Sequence, residues 1–251
     1  YTPLLCTQTA GGFTEDAYVQ TLSDMRASGI IFVSGLHADM TSSVERYQHL
    51  EDLRIPFVTI NGNHRDISAP DFSTDDSAAV MQAVRHLASL GHKKIGLALG
   101  PARFIPSHMK AQGFAHGMAE ILPKEPVRIA HTLFTIEGGQ SAAAQLIEEG
   151  CTAIICGSDI MALGVVRYCV STGRCVPDDV SVVGFDDSPL MAFTDPPLTT
   201  LRQPVHSMSE AAVSGLVCLI DGMLSSPRSL MFQSELIVRR STGTVPGKPV
   251  I

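Results

Sequence analysis

The chain has 251 residues, 45% of them hydrophobic, with a positive mean hydropathy, so it can bury one large core or two ordinary ones. Its 18 Lys+Arg against 25 Asp+Glu leave a formal charge of -7, which excludes a cationic face for holding a nucleic-acid backbone. No run reaches the ~20 apolar residues of a membrane helix, and residues 1–3 show no basic-then-apolar leader pattern.

In chain order, unbroken apolar runs at 30–33, 56–60, 95–99, 153–156 and 180–184 predict buried parallel strands. Segments with helical spacing separate them. Val80, Ala83, Val84 and Leu87 form one face, with Ser73 and Asp76 read as a capping box and Gly91 as the stop. Phe114, Met118, Ile121 and Leu122 form a second. Ala162, Val165, Val166 and Cys169 form a third, ended by Gly173. A long helix is predicted over 205–224, with Met208, Ala212, Gly215 and Leu219 on one side. Polar, turn-rich stretches at 61–71 and 188–197 are surface loops or domain crossings. The alternation implies an α/β chain with parallel sheets and crossover helices. The six cysteines have no metal-like spacing, which points to a reduced, cytoplasmic protein with no metal.

Five ordered stretches are more specific. They are His86-Leu-Ala-Ser-Leu-Gly-His-Lys-Lys-Ile95, Ser158-Asp-Ile-Met-Ala-Leu-Gly164, Val176-Pro-Asp-Asp-Val-Ser-Val-Val-Gly-Phe-Asp-Asp187, Pro196-Pro-Leu-Thr-Thr-Leu-Arg-Gln-Pro204 and Glu235-Leu-Ile-Val-Arg-Arg-Ser-Thr242. Together they resemble the lac/galactose repressor family of bacterial transcription regulators over nearly the whole chain. The resemblance implies a periplasmic-binding-protein type of fold: two Rossmann-like lobes, three inter-lobe crossings and a ligand cleft between the lobes. The N-terminal lobe would comprise 1–73 plus 204–232 and the C-terminal lobe 74–203 plus 233–251. It also implies that residues 3–8 form the lobe's second strand, the first strand and helix preceding this sequence along with a helix-turn-helix head.

Ligands of open α/β sheets sit beyond the C-terminal strand ends, which directs attention to residues just after each apolar run. Asp186 can accept from two neighbouring sugar hydroxyls or cap the next turn. Lys110 stands where the family usually has an arginine, and is either a point donor to the ligand or a solvated lysine on a helix face. Ser158 replaces the usual asparagine and is either a ligand contact or the N-cap of a 159–172 helix. Phe134 and Phe72 match positions where aromatic rings pack on the effector, or are ordinary core residues. Asn61 offers a donor and an acceptor, or starts the Asn-Gly turn. The family's dimer surface resembles Leu163, Val166, Arg167 and Phe193 here.

An enzyme needs a reacting constellation, and none of the familiar motifs is present. Adjacent Asp186 and Asp187 diverge at a strand end, the nine histidines contain no H-E-x-x-H, and His86 and His92 flank a helix end where a cation is welcome. Gly157-Ser158-Asp159 lacks the second glycine of a nucleophile elbow. Catalysis and a cofactor are therefore not expected, and the family resemblance implies a sensor: a small-molecule effector of the sugar class, a homodimer, and operator DNA bound only through the head. A periplasmic solute receptor shares the fold and is the alternative.

Overall fold

The computed structural model describes residues 1–7, 12–62, 64–223 and 229–245. Gln8, Asn63 and Leu224, which belong to predicted segments, lie outside the described residues. The chain divides into two compact units: Tyr1–Ser73 with Val205–Met231, and Thr74–Pro204 with Phe232–Ile251. The backbone therefore passes from one to the other at three points. Both units are α/β, with parallel strands in two separate sheets.

The first unit holds α1 (Glu15–Asp24), β1 (Ile30–Val33), α2 (Glu45–Asp52), β2 (Phe57–Ile60), β3 (Asp71–Thr74), α7 (Val205–Ile220) and β9 (Leu230–Phe232). Its sheet order is β1-β2-β3-β9, with β1, β2 and β3 parallel. A core forms where Phe32 meets Tyr47 and Phe57 edge-on, at 5.1 and 5.7 Å between ring centres. Residues 3–7, expected as a strand, have no strand pairing, and Leu4 and Leu5 are exposed. The helix expected to run to 224 stops at Ile220. Gly222, at φ +66°, turns the chain out of the helix.

The second unit holds α3 (Asp76–Ser89), β4 (Ile95–Leu99), α4 (Ile105–Ile121), β5 (Arg128–His131), α5 (Ile136–Glu148), β6 (Ala153–Cys156), α6 (Asp159–Ser171), β7 (Ser181–Asp186), β8 (Thr199–Arg202) and β10 (Glu235–Ile237). The order is β10-β8-β7-β6-β4-β5, parallel except for β10. Alternate residues of each strand point to opposite faces. Leu97, Ile155 and Val183 meet Val80, Val84 and Phe114 of α3 and α4, whereas Ala98, Ile154 and Val182 meet Leu146 and Val165 of α5 and α6. Both faces are covered, which is why these strands read as continuous apolar runs.

The cap of α3 differs from expectation. Asp75, not Ser73, accepts the Ala78 N–H. Ser73 is recruited elsewhere, accepting the Gly62 N–H at 2.7 Å and donating to Asp71.

Candidate functional site

In the second sheet the chain order reverses at β4: β5 lies on one side of it and β6 on the other. Such a switch point opens a crevice beyond the strand ends, where ligands of open α/β sheets bind. Gly100 and Gly157 follow β4 and β6 there, and the ring of Phe134 lies directly over both. A Cβ at Gly100 would collide with that ring, and one at Gly157 would come within 3.3 Å of it. The two glycines thus seat an aromatic that remains 41% exposed.

Two strands away β7 ends at Asp186. Asp186 and Asp187 both have positive φ, +114° and +55°, conformations that cost free energy in L residues with a Cβ. Surrounding bonds hold this corner. Gln203 donates to Asp186 Oδ1 at 2.6 Å. Arg202 and Arg239 each donate to Asp187 at 2.7 Å. Two residues on, the Ser188 N–H donates at 2.7 Å to buried Asp159, whose other oxygen accepts from Thr200 at 2.6 Å. Asp159 reaches that position because Gly184 beside it has no Cβ.

The two adjacent carboxylates differ in electrostatics. Burial pushes the Asp186 carboxyl up to about 6, against the pull of the Gln203 hydrogen bond. Asp187 is held below the ordinary carboxylate range, because the hydrogen bonds and charges of Arg239 and Arg202 outweigh its own desolvation.

Lys110 completes the corner. The structure places it inside rather than on a solvated helix face: it is 5% exposed, its ammonium 2.7 Å from Asp76 Oδ1 and 3.9 Å from the centre of the Phe185 ring. Burial raises the Asp76 carboxyl, and the Lys110 charge opposes that rise. The charge of Lys110 is also felt at Asp186. Asp186, Lys110 and Phe134 thus all stand at the C-terminal edge of one sheet.

The remaining expected site residues are placed differently. The Ser158 hydroxyl caps α6, accepting from Met161 N at 3.3 Å. Asn61, at φ +67° in the first unit, starts the Asn-Gly turn after β2, and its amide donates to Ser34 Oγ at 3.3 Å. Phe72 is 2% exposed, its ring against Gly215 of α7 in the core of the first unit. Of the expected dimer residues, Leu163 and Val166 are partly buried against the core, Arg167 is exposed and Phe193 is 85% exposed.

Sequence reasoning missed Gln203, Asp76 and Asp159. Gln203 lies inside a quoted stretch directly after β8, a strand that no apolar run marks, and Asp76 reads in the sequence as part of a capping box. His86 and His92 also differ from expectation. Burial lowers both below the usual imidazole value, so neither serves as a cation at a helix end. His92 instead bridges Thr152, Ser181 and Gly243, and His86 meets Thr242.

A model of the periplasmic binding protein-like domain family matches residues 84–242. An HTH-type transcriptional regulator from the aml 5′ region of Streptomyces limosus is 54% identical over 252 residues, covering 98% of this chain and 72% of that protein. The HTH-type transcriptional repressor CytR of Escherichia coli K12 is 31% identical, covering 92% of this chain and 67% of that protein. Among solved structures, the transcriptional regulator CelR–cellobiose complex superposes with a TM-score of 0.81 at 25% identity, covering 89% of this chain and 68% of that one.

Proposed function

The chain belongs to the LacI family of transcriptional regulators, and from that premise we propose that it is the effector-sensing and dimerising core of a DNA-binding repressor that binds a sugar at the strand-end corner of the second unit. Its relatives are named as regulators, and no catalytic role is assigned to any residue here. The observation that carries the reading is Asp186: a partly buried carboxylate in a strained backbone conformation, held by Gln203, at the edge where this fold class takes ligands.

Asp186 and Lys110 would read hydroxyls, and Phe134 would cover an apolar sugar face. A cellobiose-bound relative supports the ligand class. Ser158 is proposed as a further ligand contact from the family resemblance, to be tested by Ser158→Ala; Asn61 lies in the first unit and is not assigned to this corner. Phe72 is left out, because its ring is already packed in the core. An effector that binds one conformation better than another shifts the equilibrium between them, and a coupling of ~1–3 kcal/mol changes operator affinity about 5- to 150-fold.

The operator is assigned to a helix-turn-helix segment of the whole regulator, as its relatives are named HTH-type, and the net charge of -7 gives this chain no overall positive field for DNA. Such a regulator acts in the cytoplasm. Dimerisation is assigned to Leu163, Val166, Arg167 and Phe193, an exposed phenylalanine being a candidate isologous contact. Native mass measurement should give a dimer, and Phe193→Asp a monomer.

Thermal-shift screening of sugars and nucleobases tests the central assignment. A specific binder should raise Tm, and Asp186→Ala should abolish the shift. An undiminished shift in that variant removes Asp186 from the site.

A further inference from the structure

We propose that His37 and Glu15 form a proton-operated latch in the first unit: neutral His37 fastens the turn after β1 to the end of β2, and a proton taken up from solvent at its Nδ1 releases that turn. The latch stands apart from the effector corner, which lies in the second unit.

The turn begins at Ser34 and ends in a short 3-10 helix, Leu36–Ala38. Ser34 stands at φ +49°, and Asn61, whose amide donates to the Ser34 hydroxyl, at +67°. Three further bonds hold this geometry. The Ser34 N–H donates to the Ile60 carbonyl at 3.3 Å, the Leu36 N–H donates to Glu15 Oε2 at 2.9 Å, and His37 Nε2 meets the Ile60 carbonyl at 3.0 Å. A carbonyl only accepts, so neutral His37 carries its hydrogen on Nε2 and leaves Nδ1 as a bare acceptor. The ring is fully buried, and Nδ1 has no hydrogen-bond partner among the described residues.

What Nδ1 shares its space with is a carboxylate. Gly35 has extended backbone that any residue adopts, φ -100° and ψ -158°, so the lack of a side chain there serves room rather than conformation. A Cβ at Gly35 would stand 2.5 Å from Glu15 Oε2 and 3.3 Å from His37 Nδ1, so the two acceptors border one bare face. Glu15 is itself buried, and Tyr47 donates to its other oxygen. A proton on Nδ1 turns an acceptor into a donor aimed at that carboxylate. Since Nδ1 has no partner in bonding range, the ring must move to reach one, and its bond to Ile60 loosens.

The surroundings set the sign. Asp71 of β3 adds a second negative charge to that of Glu15. Tyr47 of α2 presents its ring at 6.5 Å, and Arg46 lies over that ring, paired with Asp16. His64 meets His37 through its N–H, which donates to the His37 carbonyl at 2.8 Å, and Asp39 accepts from Thr41. Burial lowers the imidazole below its usual value, with the Ile60 carbonyl and the charges of Glu15 and Asp71 opposing that fall. The unfolded chain therefore takes the proton more readily than the folded one. The latch is complete above pH 6.5 and is lost as the pH falls below it.

The test is amide hydrogen exchange at Ser34 and Leu36 from about pH 8 to about pH 5, corrected for intrinsic rates, beside NMR titration of the His37 ring. Neutral His37 should carry its hydrogen on Nε2, and protection of both amides should fall about tenfold or more in step with its titration. His37→Gln keeps an N–H donor for Ile60 and cannot titrate, so protection should stay level across the range. Glu15→Gln removes the charge that favours the imidazolium, so the midpoint should move to lower pH. A neutral ring protonated on Nδ1, or wild-type protection that does not follow the His37 titration, overturns the latch without any variant having to fold. A fall that persists in His37→Gln overturns it as well, and an unmoved midpoint in Glu15→Gln overturns the part given to Glu15.

Discussion

Strand β7 begins in one buried polar cluster and ends in another, and the two are built on opposite principles. At its start, Ser181 joins His92, Thr152 and Gly243 in a network of neutral groups, with the imidazole hydrogen-bonded at both nitrogens and the backbone unstrained. This cluster ties the segment after β10 to the sheet. At its end, Asp186 is charged, desolvated, held at φ +114° and left with an unfilled acceptor. A polar cluster that serves the fold closes on itself. One that serves a ligand keeps an opening and bears the cost.

The sharpest way to break this contrast is to remove the Lys110 charge near the C-terminal end of β7. Lys110→Met leaves Asp76 buried without its partner and should destabilise by about 3–5 kcal/mol in denaturant melts, whereas Lys110→Met with Asp76→Leu should recover most of the loss. A single-variant loss under about 1 kcal/mol would mean the pair is screened by water.

At the start of β7, His92→Ala should cost about 1–3 kcal/mol by removing its bonds to buried Ser181 and to partly buried Thr152 and Gly243, with effector affinity unchanged. The sign of its pH dependence follows from the lowered pKa. The folded state resists protonation, so the contribution of His92 is complete above pH 6.5 and is lost as the pH falls below it. His92→Ala should flatten that acid limb, and a changed effector affinity would show that the two ends of β7 are coupled.

The smallest expected effect is at the aromatic. Phe134→Ala should weaken the effector by about 1 kcal/mol, roughly fivefold, with little change in stability because the ring is already half in solvent.

The sequence made the buried strands legible because both sheet faces are covered, which writes them as apolar runs. It hid β5, whose Arg128 and His131 break the run at a sheet edge, and β8, where Thr199 and Thr200 are buried as polar partners of the chain after β10 and of Asp159. The strand-end position of Asp186 was legible from an apolar run and a quoted stretch, and those of Lys110 and Phe134 from the family resemblance. Gln203, Asp76 and Asp159 could not be found, because they bind across loops and helices distant in sequence. Phe72 illustrates the reverse error: a phenylalanine near a strand end has two good places to go, and only packing against Gly215 decides between them.

The most direct test is Asp186→Asn, melted with and without the effector across pH. A carboxyl raised to about 6 favours the folded state at low pH, a contribution complete below 3.8 and lost as the pH rises through 6, so the wild type bears the full desolvation cost at neutral pH. Asparagine removes that ionisation, and the variant should be more stable than wild type by about 2 kcal/mol at pH 8 while losing the effector-induced rise in Tm. A variant that is no more stable at pH 8 and still responds fully to effector would contradict the assignment of Asp186 as the strained, ligand-reading group.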